Sequence, residues 1–193
     1  MRSLSCTFLL SPFLCIFCAL AQQASPVTTA LTLSAEMKRI FDEDQAARQI
    51  PTHFSKAQGI ALYQGDAARR VEVHKLLDAG DLHTGEDFEE AAFIFQHGDS
   101  ADDYLLAHTL ATLAVAKGRD SAVWIMTATL DRYLHKIGQP QIYGTQFAPQ
   151  PGGDWTQEPY NRTLVSDDLL KQLGVRSRAD QEKQLEAFKK QAH

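Results

Sequence analysis

The chain has 193 residues, 19 Lys+Arg against 24 Asp+Glu, a formal net charge of −5 and three cysteines. A mildly acidic chain without a basic block is ill suited to nucleic acid or to anionic membrane surfaces. All three cysteines, Cys6, Cys15 and Cys18, fall in the first twenty residues. The remainder therefore excludes disulfides, thiolate nucleophiles and cysteine metal sites.

The N-terminus reads as a secretory signal peptide over 1–21. Arg2 is a short positive region, Leu4 to Leu20 is almost continuously apolar, and Ala19-Leu20-Ala21 is an A-x-A cleavage site with Gln22 as the first mature residue. Removing Arg2 leaves a net charge of −6. The apolar stretch is marginal for spanning a bilayer, which takes about 20 apolar residues, and Pro12 interrupts it. The expected protein is exported, periplasmic or extracellular, with no stable membrane insertion after cleavage. Residues 22–33 (QQASPVTTALTL) are small and polar, and read as a flexible lead-in.

Helix signals then follow in order through 34–175. Ser34 caps a helix through Met37, Ile40 and Phe41 towards Arg48, closed off by Pro51. Asp66 is the expected cap of the next, whose Val71, Val73, Leu76 and Leu77 lead to Gly80. Thr84-x-x-Asp87, Ser100-x-x-Asp103 and Ser177-x-x-Asp180 are capping-box patterns that open helices at about 85–97, 101–117 and 178–191. A further helix runs from about Asp120 to Ile137 between Gly118 and Gly138, and Ser166 caps a short one ending before Gly174. The charged segment 176–193 reads as a peripheral helix. The expected fold is all-α, a single-domain helical bundle of helical hairpins with a long Gly/Pro-rich loop near 138–165. That loop holds four of the seven prolines and is too long for a routine connection. Its Phe147, Trp155 and Tyr160 argue for docking on the body.

Gly138-Gln-Pro-Gln-Ile-Tyr-Gly-Thr-Gln146 is the most unusual stretch. Its glycines and proline impose a special backbone path, and Gln141, Tyr143, Thr145 and Gln146 supply neutral donors and acceptors. The loop reads equally as a rigid ligand-binding surface and as a structural loop whose amides satisfy buried backbone. Asp131-Arg132 closes the preceding helix; Arg132 serves the helix dipole or clamps an anion. His97 ends an apolar run and is either a C-terminal cap or a general base. Asp44, Gln45 and Arg48 cluster on the first helix, where Asp44 and Arg48 pair at i,i+4. No metalloprotease, nucleophile-elbow, phosphate-loop or dinucleotide motif is present. No metal and no cofactor are expected.

Asp44-Gln45-x-x-Arg48, Gln96-His97, Asp131-Arg132 and Gly138–Gln146 stand in the order found in an uncharacterised family, the domain of unknown function 6624, which the chain resembles over about residues 40–162. The resemblance implies a helical fold and a shared polar site rather than a reaction. The chain departs from the family at Gly80-Asp-Leu-His-Thr-Gly85, where a Gly-Trp/Phe-Pro-like turn is usual. Two functions follow. One is a ligand-binding or interaction module of the cell envelope, its partner a small molecule or an envelope protein, with Gln45, Arg48, Asp131, Gln141, Tyr143, Thr145 and Gln146 in contact. The other is a hydrolase-like enzyme with His97 as base, Asp44 as its orienting acid and Arg132 stabilising negative charge. His97, Arg132 and the loop are expected to converge, with the first helix adding Asp44 or Gln45.

Overall fold

The structure, a computed structural model, describes residues 26–49, 55–152 and 154–191. The leader read at 1–21, residues 22–25 and Pro51 lie outside the described residues. Among these there are seven helices: α1 (Pro26–Ala47), α2 (Lys56–Ala79), α3 (Gly85–Phe95), α4 (Ala101–Ala116), α5 (Ala122–Lys136), α6 (Asp167–Gln172) and α7 (Arg178–Gln191). A two-residue hairpin pairs β1 (Ala148–Pro149) antiparallel with β2 (Trp155–Thr156) inside the long loop. The protein is thus all-α, with one small sheet. None of the described helices is long and apolar enough to cross a membrane.

The capping boxes open their helices as the sequence predicts. Thr84 Oγ1 accepts from Asp87 N at 3.0 Å while Asp87 Oδ2 accepts from Thr84 N at 2.8 Å. Ser100 and Asp103 repeat the arrangement at the start of α4. Each box satisfies donors that a helix start otherwise leaves open.

Three expectations are corrected. First, α1 begins at Pro26, inside the segment read as a lead-in, so Ser34 lies within the helix and does not cap it. Proline is well tolerated at a first helical position, where its missing N–H costs no bond. Second, α2 begins ten residues before Asp66. Its cap is Ser55, whose Oγ accepts from Gln58 N while Gln58 Oε1 accepts from Ser55 N. Asp66 lies within the helix, buried, for a reason given below. Third, α7 is not peripheral. Gln181 is 2% exposed, and Phe188 packs its ring on Phe147 and Trp155 at 5.3 and 4.8 Å between centroids.

The core lies where α1 and α2 meet the α3–α4–α5 hairpins. Met37 and Ile40 of α1, Val73 of α2, Ile94 and Phe95 of α3, Leu110 of α4 and Ile125 of α5 are all buried. Alanines fill the closest approaches: Ala91, Ala92, Ala107, Ala111, Ala114 and Ala122 are wholly inaccessible. Small side chains let helix backbones draw together and exclude water across the contact. The consequence for function is positional. α3 and α5 run with their C-terminal ends towards one side, and the polar residues sit there.

Candidate functional site

The loop after α5 is organised by one aspartate. Asp131 is wholly buried. Its Oδ1 accepts from the backbone N–H of Ile142 at 2.8 Å and of Tyr143 at 3.1 Å. Its Oδ2 accepts from Thr145 N at 2.9 Å and Thr145 Oγ1 at 2.7 Å. Gln141, also wholly buried, donates through Nε2 to Gln146 O and Gln157 O and accepts from Gln146 N through Oε1. Gln157 Nε2 donates to Gly144 O, and Gln181 Nε2 from α7 donates to Tyr143 O. Gly144 has φ 72°, and a Cβ there would overlap Gln181 Oε1 and stand 2.8 Å from Tyr160 Cε1. The position therefore requires glycine twice over, for backbone conformation and for room. Asp131, Gln141 and Thr145 thus turn inward and satisfy the loop's own backbone. Gln146 Nε2 donates to Ala128 O at 3.3 Å and to Thr145 Oγ1 at 2.9 Å. Burial and the nearby Asp131 carboxylate raise the Tyr143 phenol.

A second cluster joins α1, α2 and the end of α3. Asp44 is wholly buried. Arg48 Nη1 donates to its Oδ1 at 2.6 Å, and Gln45 Nε2 to its Oδ2 at 2.9 Å. Arg69 Nε stands 3.3 Å from Oδ1. Both arginines also reach Asp66 Oδ1, Arg48 at 2.9 Å and Arg69 at 2.5 Å. This explains the buried Asp66: it closes a four-membered ionic ring with Asp44. Burial raises the Asp44 carboxyl, opposed by Arg48 and Arg69. His97 Nε2 lies 3.8 Å from Asp44 Oδ2, too far for a hydrogen bond. Burial, with Arg48, Arg132 and Arg69 nearby, pushes the His97 imidazole down to about 4. At neutral pH it is uncharged. Arg70 Nη1 donates to His97 O at 2.9 Å and so caps α3, as the dipole favours.

Arg132 stands between the two clusters. It is close enough to His97 to lower that imidazole, and it shares a pocket of about 300 Å³ with Tyr104, His135, Lys136 and Gln146. Its guanidinium makes no ion pair and no hydrogen bond with any described residue, and its Nε is buried without a partner. Burial lowers its pKa, and the Tyr104 phenol is the group acting in the opposite sense.

The structure therefore gathers Asp44, Gln45, Arg48, His97 and Arg132 on one side and brings Gln146 to Arg132. Asp131, Gln141, Tyr143 and Thr145 form the loop behind. Sequence reasoning missed Asp66, Arg69, Tyr104, Lys136, Gln157 and Gln181. Asp66 and Arg69 sit at i,i+3 on one helix face, a signal that was available; the others become neighbours only through tertiary packing. Among the described residues no group of three or more His, Cys, Asp or Glu converges to hold a metal ion. Comparison with protein-family models, with curated proteins and with solved structures gives no match.

Proposed function

We propose that the chain is an exported ligand-binding module of the cell envelope, and that its ligand presents an acidic group to Arg132. The likeness to the domain of unknown function 6624 family belongs to the same proposal and rests on the ordered polar motifs. The observation that carries the reading is the unpaired guanidinium of Arg132. Arg132 is half-buried with its Nε out of water, and partial desolvation of a cation without a counter-charge costs free energy that a bound anion returns. Arginine's planar fork suits carboxylate and phosphate oxygens. Lys136 adds a second charge at the rim, and the Tyr104 hydroxyl and Gln146 amide can orient a ligand. A pocket near 300 Å³ is at the small end of ligand sites, suited to a headgroup or a small acid.

The test uses the mature protein with inorganic phosphate and succinate as probes in calorimetric titration. Binding is expected, weakened at least about tenfold in Arg132→Met with the helical circular dichroism unchanged. Equal binding by the variant would sink the site. Export is tested separately: N-terminal sequencing of secreted protein should begin at Gln22, and an intact Met1 in a membrane fraction would overturn that part.

The 3.8 Å approach of His97 to Asp44 favours a second reading, the hydrolase-like enzyme. It is the weaker one on chemical grounds. A base whose conjugate acid lies at about 4 has little driving force to take a proton near neutral pH. Its Nε2 is also buried towards Asp44 rather than open to the Arg132 pocket.

A further inference from the structure

A depression larger than the one at Arg132 lies elsewhere among the described residues. It is a groove of about 760 Å³ between α1 and α3, whose walls include Lys38, Asp42, Glu86 and Glu90. A second depression of about 280 Å³ adjoins it, sharing Lys38, Glu86 and Glu90 and adding Phe41 and Phe93. Glu90 thus lines both. It is 5% exposed and makes no hydrogen bond or ion pair with any described residue.

The charged neighbours on each packed element are engaged elsewhere. Lys38 of α1 donates to Asp42 at 2.6 Å. Arg39 fans out to Glu36, Glu43 and Glu72. Arg119, in the α4–α5 connection, pairs with Glu89 at 2.5 Å and reaches Glu86 at 3.6 Å. Asp87 is held by the cap of α3. Beside the unpartnered carboxyl runs an aromatic surface. Phe41 and Phe93 have ring centroids 5.7 Å apart, and Phe93 stacks on a half-exposed Trp124 at 6.2 Å.

We propose that these joined depressions bind an organic cation, an ammonium group on an apolar body, with Glu90 taking the charge and Phe41 and Phe93 the body. The chemistry is that of a largely buried carboxylate that opens only to the groove, beside aromatic faces, which together favour a weakly hydrated cation over an inorganic one. Burial, then the like charge of Glu86, raises the Glu90 carboxyl to about 7, with Asp87 and Asp42 acting in the same sense and Lys38 against them. A bound ammonium favours the carboxylate, so Glu90 releases its proton as the cation enters and affinity rises with pH across that range.

The probes are benzyltrimethylammonium, with benzyl alcohol as its uncharged counterpart, titrated into the mature protein carrying Trp155→Phe so that fluorescence reports Trp124. The ammonium is expected to quench saturably and to bind at least about tenfold tighter than the alcohol. Calorimetry at pH 6.5 in two buffers of different ionisation enthalpy should show proton release. Glu90→Gln is expected to abolish the preference for charge, and Arg132→Met to leave it intact, which separates this site from the anion pocket. Equal affinity for both probes, or a preference that survives Glu90→Gln, overturns the proposal. The proton-release measurement needs no variant, so absence of release on binding also counts against it.

Discussion

In the middle of α3, Glu90 faces a groove whose cations, Lys38, Arg39 and Arg119, are engaged by other acids; about two turns further on, just past the end of the helix, His97 sits among Arg48, Arg69, Arg70 and Arg132. Both regions are buried and both are charged, yet they are built differently. At the cationic end most charges are paired, through Asp44 and Asp66, and Arg132 is left over. At the acidic end the buried Asp87 is held by the helix cap and the buried Glu89 by Arg119, and Glu90 is left over. The placement of sign follows the helix dipole, acids at the N-terminal turn and cations at the C-terminal one. The leftover charges do not follow from that rule. Pairing rigidifies a site, whereas an unpaired buried charge stores a free-energy cost that a ligand can relieve.

The sharpest way to break the comparison is to remove the centre of the paired end. Asp44→Ala leaves Arg48 and Arg69 without their wholly buried partner, and should lower stability by about 3–5 kcal/mol in urea denaturation. A loss below about 1 kcal/mol would mean the ring is solvated and the contrast false. Asp131→Asn tests whether neutral partners matter as much. The amide turns a donor towards one set of the N–H groups that Asp131 now accepts, so a loss of about 2–3 kcal/mol is expected, with the loss of slow hydrogen exchange at Ile142, Tyr143 and Thr145.

The leftover acid should behave in the opposite way. The Glu90 carboxyl is raised from 4.5 to about 7, so the folded protein holds this proton more tightly than the unfolded chain. Its contribution is fully present below about pH 4.5 and is lost as pH rises through 7. Glu90→Gln should therefore gain about 2 kcal/mol over the parent at pH 8 and nothing at pH 4. An advantage over the parent no larger at pH 8 than at pH 4 refutes this. His97 is the mirror case and the smallest effect. Its pKa falls from 6.5 to about 4, so its stabilising contribution is present above pH 6.5 and is lost as pH falls through 4. His97→Gln should match the parent at pH 8 and exceed it by about 1–2 kcal/mol near pH 4, measured by the same denaturation series.

How far the sequence led depends on the range of the interactions involved. Thr84 with Asp87 and Ser100 with Asp103 are local, and the helix starts they define were legible. Asp66 misled because an acid ahead of an apolar run resembles a cap; its partners are Arg69, one turn on in α2, and Arg48, just past the end of α1. The Gly138–Gln146 stretch was legible as special, but amide side chains look the same whether they serve a ligand or their own backbone. Glu90 was invisible for a further reason. In α3 every residue from Asp87 to Ala92 is buried, so apolar periodicity gives no solvent face on which an unusual acid would stand out.

The hold of α7 on the loop has a consequence for synthesis. Gln181 Nε2 donates to Tyr143 O, and the Phe188 ring covers Phe147 and Trp155. Contacts of this separation in sequence form late, because the intervening chain must exist before it can close. As the polypeptide emerges N-terminus first, α1 to α5 can pack into a core of their own while the loop still lacks its contacts with α7. Asp131 and Gln141 hold the loop from within, but its outer clasp to Gln181 and Phe188 closes only after α7 has been made, so a ribosome stalled before Gln181 would display a helical body whose loop is still open on that side.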